Sequence, residues 1–269
     1  MRIVRLSQGL FAIASAGLGI WSLAYGGFGA GGQPLPAWIP WREFWVDGSA
    51  LLVLGASAGL LFSRTAPSSV LTIGAYHAVL AAARAPPIFS QPLSVEAWYP
   101  LCEALTPLAG AWVLYVILRS ESPGAALPNP GEGALRAAQV LFGLTCVFYG
   151  WSHFAYAHYT AGMVPTWLPD RRAWAYLTGL GHLGAGIAII VGILPRLAAT
   201  LEAIMMSLFG LLVWVPSFFA QPRPGWATPP ENQWSELVVS LLLAASAWIV
   251  ATSLRNRSWT FTFVSRSRV

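Results

Sequence analysis

The sequence predicts an all-α membrane protein, with eight transmembrane helices built as two parallel four-helix repeats about a pseudo-twofold axis along the membrane normal. Three observations lead there. Charge is too sparse for a soluble surface, eight apolar segments have spanning length, and the second half of the chain repeats the first.

Of 269 residues, 56% are hydrophobic and 9% charged, with a mean hydropathy of +0.61. A soluble domain carries about 25% charged residues, so the natural solvent for this chain is lipid. The net charge of +5 comes entirely from arginine as the basic residue. These arginines are scattered at segment ends and form no nucleic-acid patch. Cys102 and Cys146 lie in apolar segments without CxxC spacing, which argues against a disulfide framework.

The apolar segments fall near residues 5–27, 44–63, 67–85, 98–118, 135–157, 173–194, 196–216 and 234–254. Each approaches the roughly 20 residues that a helix rising 1.5 Å per residue needs to cross a bilayer. The first segment follows Met1–Arg5 and could open a signal peptide. Its internal counterpart argues otherwise, because Arg5, Gln8 and Phe11 recur in spacing as Arg136, Gln139 and Phe142. The repeat continues beyond that helix. Pro36, Trp38, Pro40 and Arg42 match Pro165, Trp167, Pro169 and Arg171, and Pro86–Pro92 resembles Pro216–Pro222. Arg64 and Arg196 close equivalent segments, and Trp98 and Trp234 open equivalent ones. The units are therefore 1–120 and 134–256, joined by a linker over 121–133 and followed by a tail over 257–269. An even number of helices per unit makes the repeats parallel.

Arginine counting sets the orientation. Ten arginines fall on the side of the N-terminus and five on the other, which predicts that both termini are cytoplasmic. The Pro/Trp loops then face outward, and their tryptophans suit the headgroup belt.

An ionisable group at bilayer depth costs about 2.5–3.5 kcal/mol on insertion scales, so each needs a reason. His153 lies roughly 6 Å below the outer end of the fifth segment, and His182 roughly 13 Å into the sixth. Tyr149, His153 and Tyr156 share one helical face, as do Thr178 and His182. These residues predict an outward-opening pocket in the second unit formed by His153, His182 and Glu236, with Tyr149, Trp167 and Arg171 beside it. A histidine near a carboxylate exchanges protons near neutral pH. The competing reading is a buried hydrogen-bond network that fixes helix packing. Two histidines and a carboxylate are metal-ligand types, but no HExxH-like spacing supports a metal and none is expected. The first unit carries a secondary polar site of His77, Arg84 and Glu103, with Arg84 and Glu103 expected to pair. Glu202 reads as a lone carboxylate in the inner half, partly offset by its helix dipole. Gly55 and Gly59 form a GxxxG packing signal, and His158 falls in a loop.

Gly150-Trp-Ser-His-Phe154, Met163-Val-Pro-Thr-Trp-Leu-Pro169 and Trp174-Ala-Tyr-Leu-Thr-Gly-Leu-Gly-His182 resemble the DoxX-like family of small four-helix bacterial membrane proteins. Gly150, His153, Phe154, Pro165, Trp167, Pro169, Thr178 and Gly179 match its pattern. His182 stands where the family usually has glutamate. The resemblance covers 135–256 and reaches the first unit through the internal repeat. It implies a tandem duplication in the bacterial inner membrane. Some members resemble subunits of quinone-linked oxidoreductases or partners of thiol-redox enzymes.

Three functions compete. One is a binding or accessory subunit, redox- or quinone-linked, with an oxidoreductase partner and an apolar ligand such as a quinone or lipid. Another is a membrane enzyme on a lipid-like substrate, using His153 or Glu236 as acid/base. The third is a transporter working between the repeats. Polar groups confined to the outer half count against a transport path.

Overall fold

The computed structural model describes residues 2–29, 39–121, 130–219 and 230–260. The first copy of the Pro/Trp loop through Trp38, residues 220–229 with Pro222, residues 122–129 of the linker, and residues 261–269 of the tail lie outside the described residues.

The described chain is helical, with no strand among the described residues. In order it forms α1 (Arg2–Tyr25), α2 (Arg42–Gly59), α3 (Ala66–Arg84), α4 (Pro86–Ser90), α5 (Val95–Glu121), α6 (Gly131–Ala155), α7 (Ala157–Met163) and α8 (Arg171–Val191). Then follow α9 (Pro195–Phe209), α10 (Val215–Ser217) and α11 (Pro230–Ser253). Seven helices among the described residues are long and apolar enough to cross a membrane. The segment left out is α2, which has 18 residues and bears Arg42, Glu43 and Asp47 near its start. Along the long helices many of the exposed side chains are large and apolar. On α1, Leu6, Ile13 and Ile20 recur every seven residues on one exposed stripe, while Phe11, Ala14 and Leu18 are buried. Such a stripe has lipid as its natural neighbour.

Each element has a local cause. Asp170 starts α8 from a left-handed backbone (φ 42), where its carboxylate accepts from Ala173 N at 3.1 Å. Trp41 starts α2 with the same left-handed backbone (φ 55). Gly192 (φ 78) ends α8, a position that favours residues without a Cβ. At that end the Arg136 guanidinium of α6 donates to Ile189 O at 2.9 Å and to Ile190 O, satisfying orphan carbonyls. Between α9 and α10 the chain takes a π-helical turn over Gly210–Trp214, where Val215 N–H bonds Gly210 O. Pro216 has no N–H to continue the regular ladder, which accounts for the irregularity there.

Packing interleaves the two halves of the chain. The helix α1 packs on α2 and on α11; α6 packs on α8 and on α5. The outer pairs are α3 on α5 and α9 on α11, and α5 meets α11 at the centre. The α1–α11 pair is antiparallel along its length. Ser7 lies by Thr252 (3.5 Å), Gly17 by Val238, and Trp21 Nε1 donates to Glu231 O at 3.0 Å. A Cβ on Gly110 of α5 would meet Ser246 Cβ of α11 at 2.7 Å, so these helices cross at near backbone contact.

Candidate functional site

The close crossing of α6 and α8 builds the site. Glycines recur at seven-residue spacing on both helices, as Gly143 and Gly150 on α6 and Gly179 and Gly186 on α8. A Cβ on Gly186 would meet Gly143 O at 2.5 Å, and one on Gly179 would meet His153 Cβ at 2.9 Å. With no side chains between them, the backbones approach closely. His153, one turn from Gly150, is thereby held against the α8 backbone.

His153 Nδ1 lies 3.2 Å from Ala175 O and 3.0 Å from Thr178 Oγ1. A carbonyl only accepts, so Nδ1 carries the proton. Thr178 uses its own hydrogen on Trp174 O at 2.9 Å and Ala175 O at 3.1 Å. That assignment leaves Nε2 as the nitrogen of His153 whose protonation can change. One turn deeper, His182 Nδ1 sits 2.8 Å from Glu202 Oε1, with both side chains 1% exposed. With the Glu202 oxygen as acceptor, the hydrogen again sits on Nδ1 and Nε2 is left as the acceptor nitrogen of the ring. The two imidazole rings are 5.0 Å apart, edge to face. Phe209 of α9, immediately before the π-helical turn, stacks on His153 (5.9 Å, 19°) and tilts against His182 (5.8 Å). Cys146, buried on the same face of α6, has its thiol beside Glu202. Tyr149 lies 5.9 Å from the His182 ring and shares a 2.9 Å hydrogen bond with Thr106 of α5.

Thus His153, His182 and Tyr149 come together as the sequence indicates, but their carboxylate is Glu202. Glu236 belongs elsewhere. Its helix α11 packs on α9, α1 and α5, and its charge acts on Tyr99 and Glu103 of α5. The helix α11 is wedged between α9 on one side and α1 and α5 on the other, and Glu236 near its start lies by Tyr99 and Glu103 rather than by the histidines. Trp167 (69% exposed) and Arg171 are also absent from the cluster. Trp167 lies on the connection into α8 and Arg171 is the first residue of that helix, and both are exposed. His158 is exposed in the short helix α7, not in a loop. Glu202 is no lone charge, since the hairpin of α8 and α9 brings it to the depth of His182.

The secondary site does assemble. His77, Arg84 and Glu103 line one small cavity with Leu18, Leu80 and Leu242. Arg84 Nη1 donates to Pro100 O at 3.1 Å, and Glu103 lies within the field of Arg84 and Glu236.

A family model described as a domain of unknown function (DUF8561) matches residues 142–251. The match takes in Cys146, Tyr149, His153, His182, Glu202 and Glu236, and none of His77, Arg84 or Glu103. No curated protein and no solved structure matches this chain.

Proposed function

We propose that the protein is a tandem DoxX-like membrane subunit that binds a quinone or a similar apolar, hydrogen-bonding molecule beside His153 and exchanges protons with it through His182 and Glu202. The carrying observation is the His182–Glu202 contact of 2.8 Å with both groups 1% exposed. Burying such a pair is expensive, and apolar residues of similar size hold a bundle together as well or better. Retaining it suits a group that must hold and release a proton. His153 connects that pair toward the α7 end of the bundle, and its Nε2 and the Phe209 ring offer a hydrogen bond and a flat apolar face. Reduction of a quinone to a quinol takes up two electrons and two protons. The histidines supply the proton path, and an electron-donating oxidoreductase partner supplies the electrons.

In this reading the protein sits in a bacterial inner membrane with both termini cytoplasmic, following the ten-to-five arginine asymmetry. The helix α2 is the eighth span, since 18 residues reach roughly 27 Å. Two repeats about a membrane-normal axis account for several paired features. Each repeat has a left-handed start, at Trp41 and at Asp170. A Cβ on Gly19 would meet Ala50 O and Leu54 Cγ, and one on Gly150 would meet Gly179 O and Leu183 Cγ. The Gly110–Ser246 crossing falls where the axis would pass, because the spacing of Trp98 and Trp234 makes those residues equivalent.

The test is saturable binding of a short-chain ubiquinone analogue to the protein in nanodiscs, read by tryptophan fluorescence. Wild type should saturate, His153→Ala and Glu202→Gln should each weaken binding tenfold or more, and the thermal midpoint of His153→Ala should stay within a few degrees of wild type. Wild type without saturable binding, or variants that bind as wild type does, would overturn the proposal.

A further inference from the structure

The seam between the two halves holds a second polar centre, independent of the histidine pair. Its cavity is lined by His77, Leu80 and Arg84 of α3, Glu103 of α5, Leu18 of α1 and Leu242 of α11. His77 is 3% exposed, and neither ring nitrogen has a hydrogen-bond partner among the described residues. A buried imidazole without partners is rare, because apolar surroundings return nothing for the water it gave up. The cavity it lines has roughly 10 Å³ for the centre of a water-sized molecule, enough for about one water. A buried water needs two to four polar partners. Here an imidazole, a carboxylate and a guanidinium border one space, with Arg84 fixed by Pro100 O at 3.1 Å and Phe28 O at 3.4 Å.

We propose that this cavity is a binding site for a single water that bridges His77 to Glu103 beneath the Arg84 guanidinium. The water donates one hydrogen to the bare ring nitrogen of His77 and the other to the Glu103 carboxylate. Glu236 and Tyr99 lie in the field of Glu103, so the bridge joins α3 to the α5–α11 contact. The bridge itself joins two helices of the first half, and Val239, Leu242 and Leu243 of α11 close the cavity from the second. The apolar lining from Leu18, Leu80 and Leu242 keeps the site to one small guest and excludes a chain-like ligand.

Hydroxyl-radical footprinting by X-ray radiolysis tests this on the intact protein in nanodiscs. Radicals formed from a bound water attack the side chains around it even when these are buried. His77 should be oxidised at least tenfold faster than Phe11 and Phe142, which are 0% and 1% exposed and lie in the packed core. Oxidation of His77 at the rate of those phenylalanines would overturn the site. A density map that resolves ordered waters gives an independent reading. A peak within hydrogen-bond distance of a His77 nitrogen and of Glu103 supports the bridge, and an empty cavity overturns it.

Discussion

Glu202 meets His182 because the turn between α8 and α9 reflects depth from one helix to the next. His182 lies ten residues before Gly192, and Glu202 eight residues after Leu194. At 1.5 Å per residue, both stand roughly 12–15 Å from the turn. Both numbers could be read from the sequence, given the two helix boundaries. What the sequence does not contain is the rotation of each helix, and that decides which residues at a given depth face one another. His153 and His182 were legible as partners because they flank a short connection. Glu236 was not, because its place depends on how α11 is rotated between α9 and α5. The pair makes a direct prediction. His182→Ala leaves the Glu202 carboxylate buried and unpaired, and should cost roughly 3–5 kcal/mol of stability. Removing Glu202 as well should restore part of that loss. A double-mutant cycle in detergent should show coupling of about 1 kcal/mol or more, and additive losses would contradict the pairing. A second residue lies just beyond the end of α6. The Tyr156 hydroxyl donates to the Glu96 carboxylate, which holds the phenol above its ordinary value of 10.0, since ionising it would set two negative charges together. Because the folded value is raised, this contact stabilises fully below the ordinary phenol value and is lost as pH rises through the folded one. In an absorbance titration of the phenolates, the step that is lost in Tyr156→Phe should move to lower pH in Glu96→Gln. An unchanged titration would remove the contact.

At the scale of the element, the α6–α8 crossing depends on missing side chains. The GxxxG of α2 was the packing motif most visible in the sequence, yet a Cβ on Gly55 would meet nothing within 4 Å, and Gly59 faces Ser69 and Thr65 of the following turn. The seam that matters uses seven-residue spacing, one glycine every second turn, and single glycines that far apart look ordinary in a chain with 26 of them. Gly186→Ala should destabilise by about 1–3 kcal/mol, because its methyl would meet a backbone carbonyl that cannot rotate away. Gly184→Ala, on the same helix with nothing within 4 Å, should be neutral or slightly stabilising. Thermal unfolding of the two variants in one detergent checks this, and equal midpoints would argue against the close crossing. The long segments themselves were readable from hydropathy, with ends within a few residues of those observed. The short helices α4 and α7 were not, because a single turn or two carries no periodicity to detect.

At the scale of the whole molecule, the repeat suggests two self-contained bundles, but the packing joins them. The pairs α1–α11 and α5–α6 each link opposite halves. A repeat in sequence would say which helices correspond, and leaves open whether each bundle closes on itself or on its neighbour. The expected outcome is that the two halves, split in the linker and co-expressed, co-purify as one complex. Either half expressed alone should fail to give a stable monomer, and a well-behaved single half would contradict the interleaving.

The α1–α11 contact also bears on how the chain is made. A ribosome makes α1 before it makes α11. Throughout synthesis the face of α1 that carries Ser7, Gly17 and Trp21 has only lipid or an insertase to rest against. That face is covered only by a helix made later, so a nascent chain stalled anywhere before α11 leaves it bare.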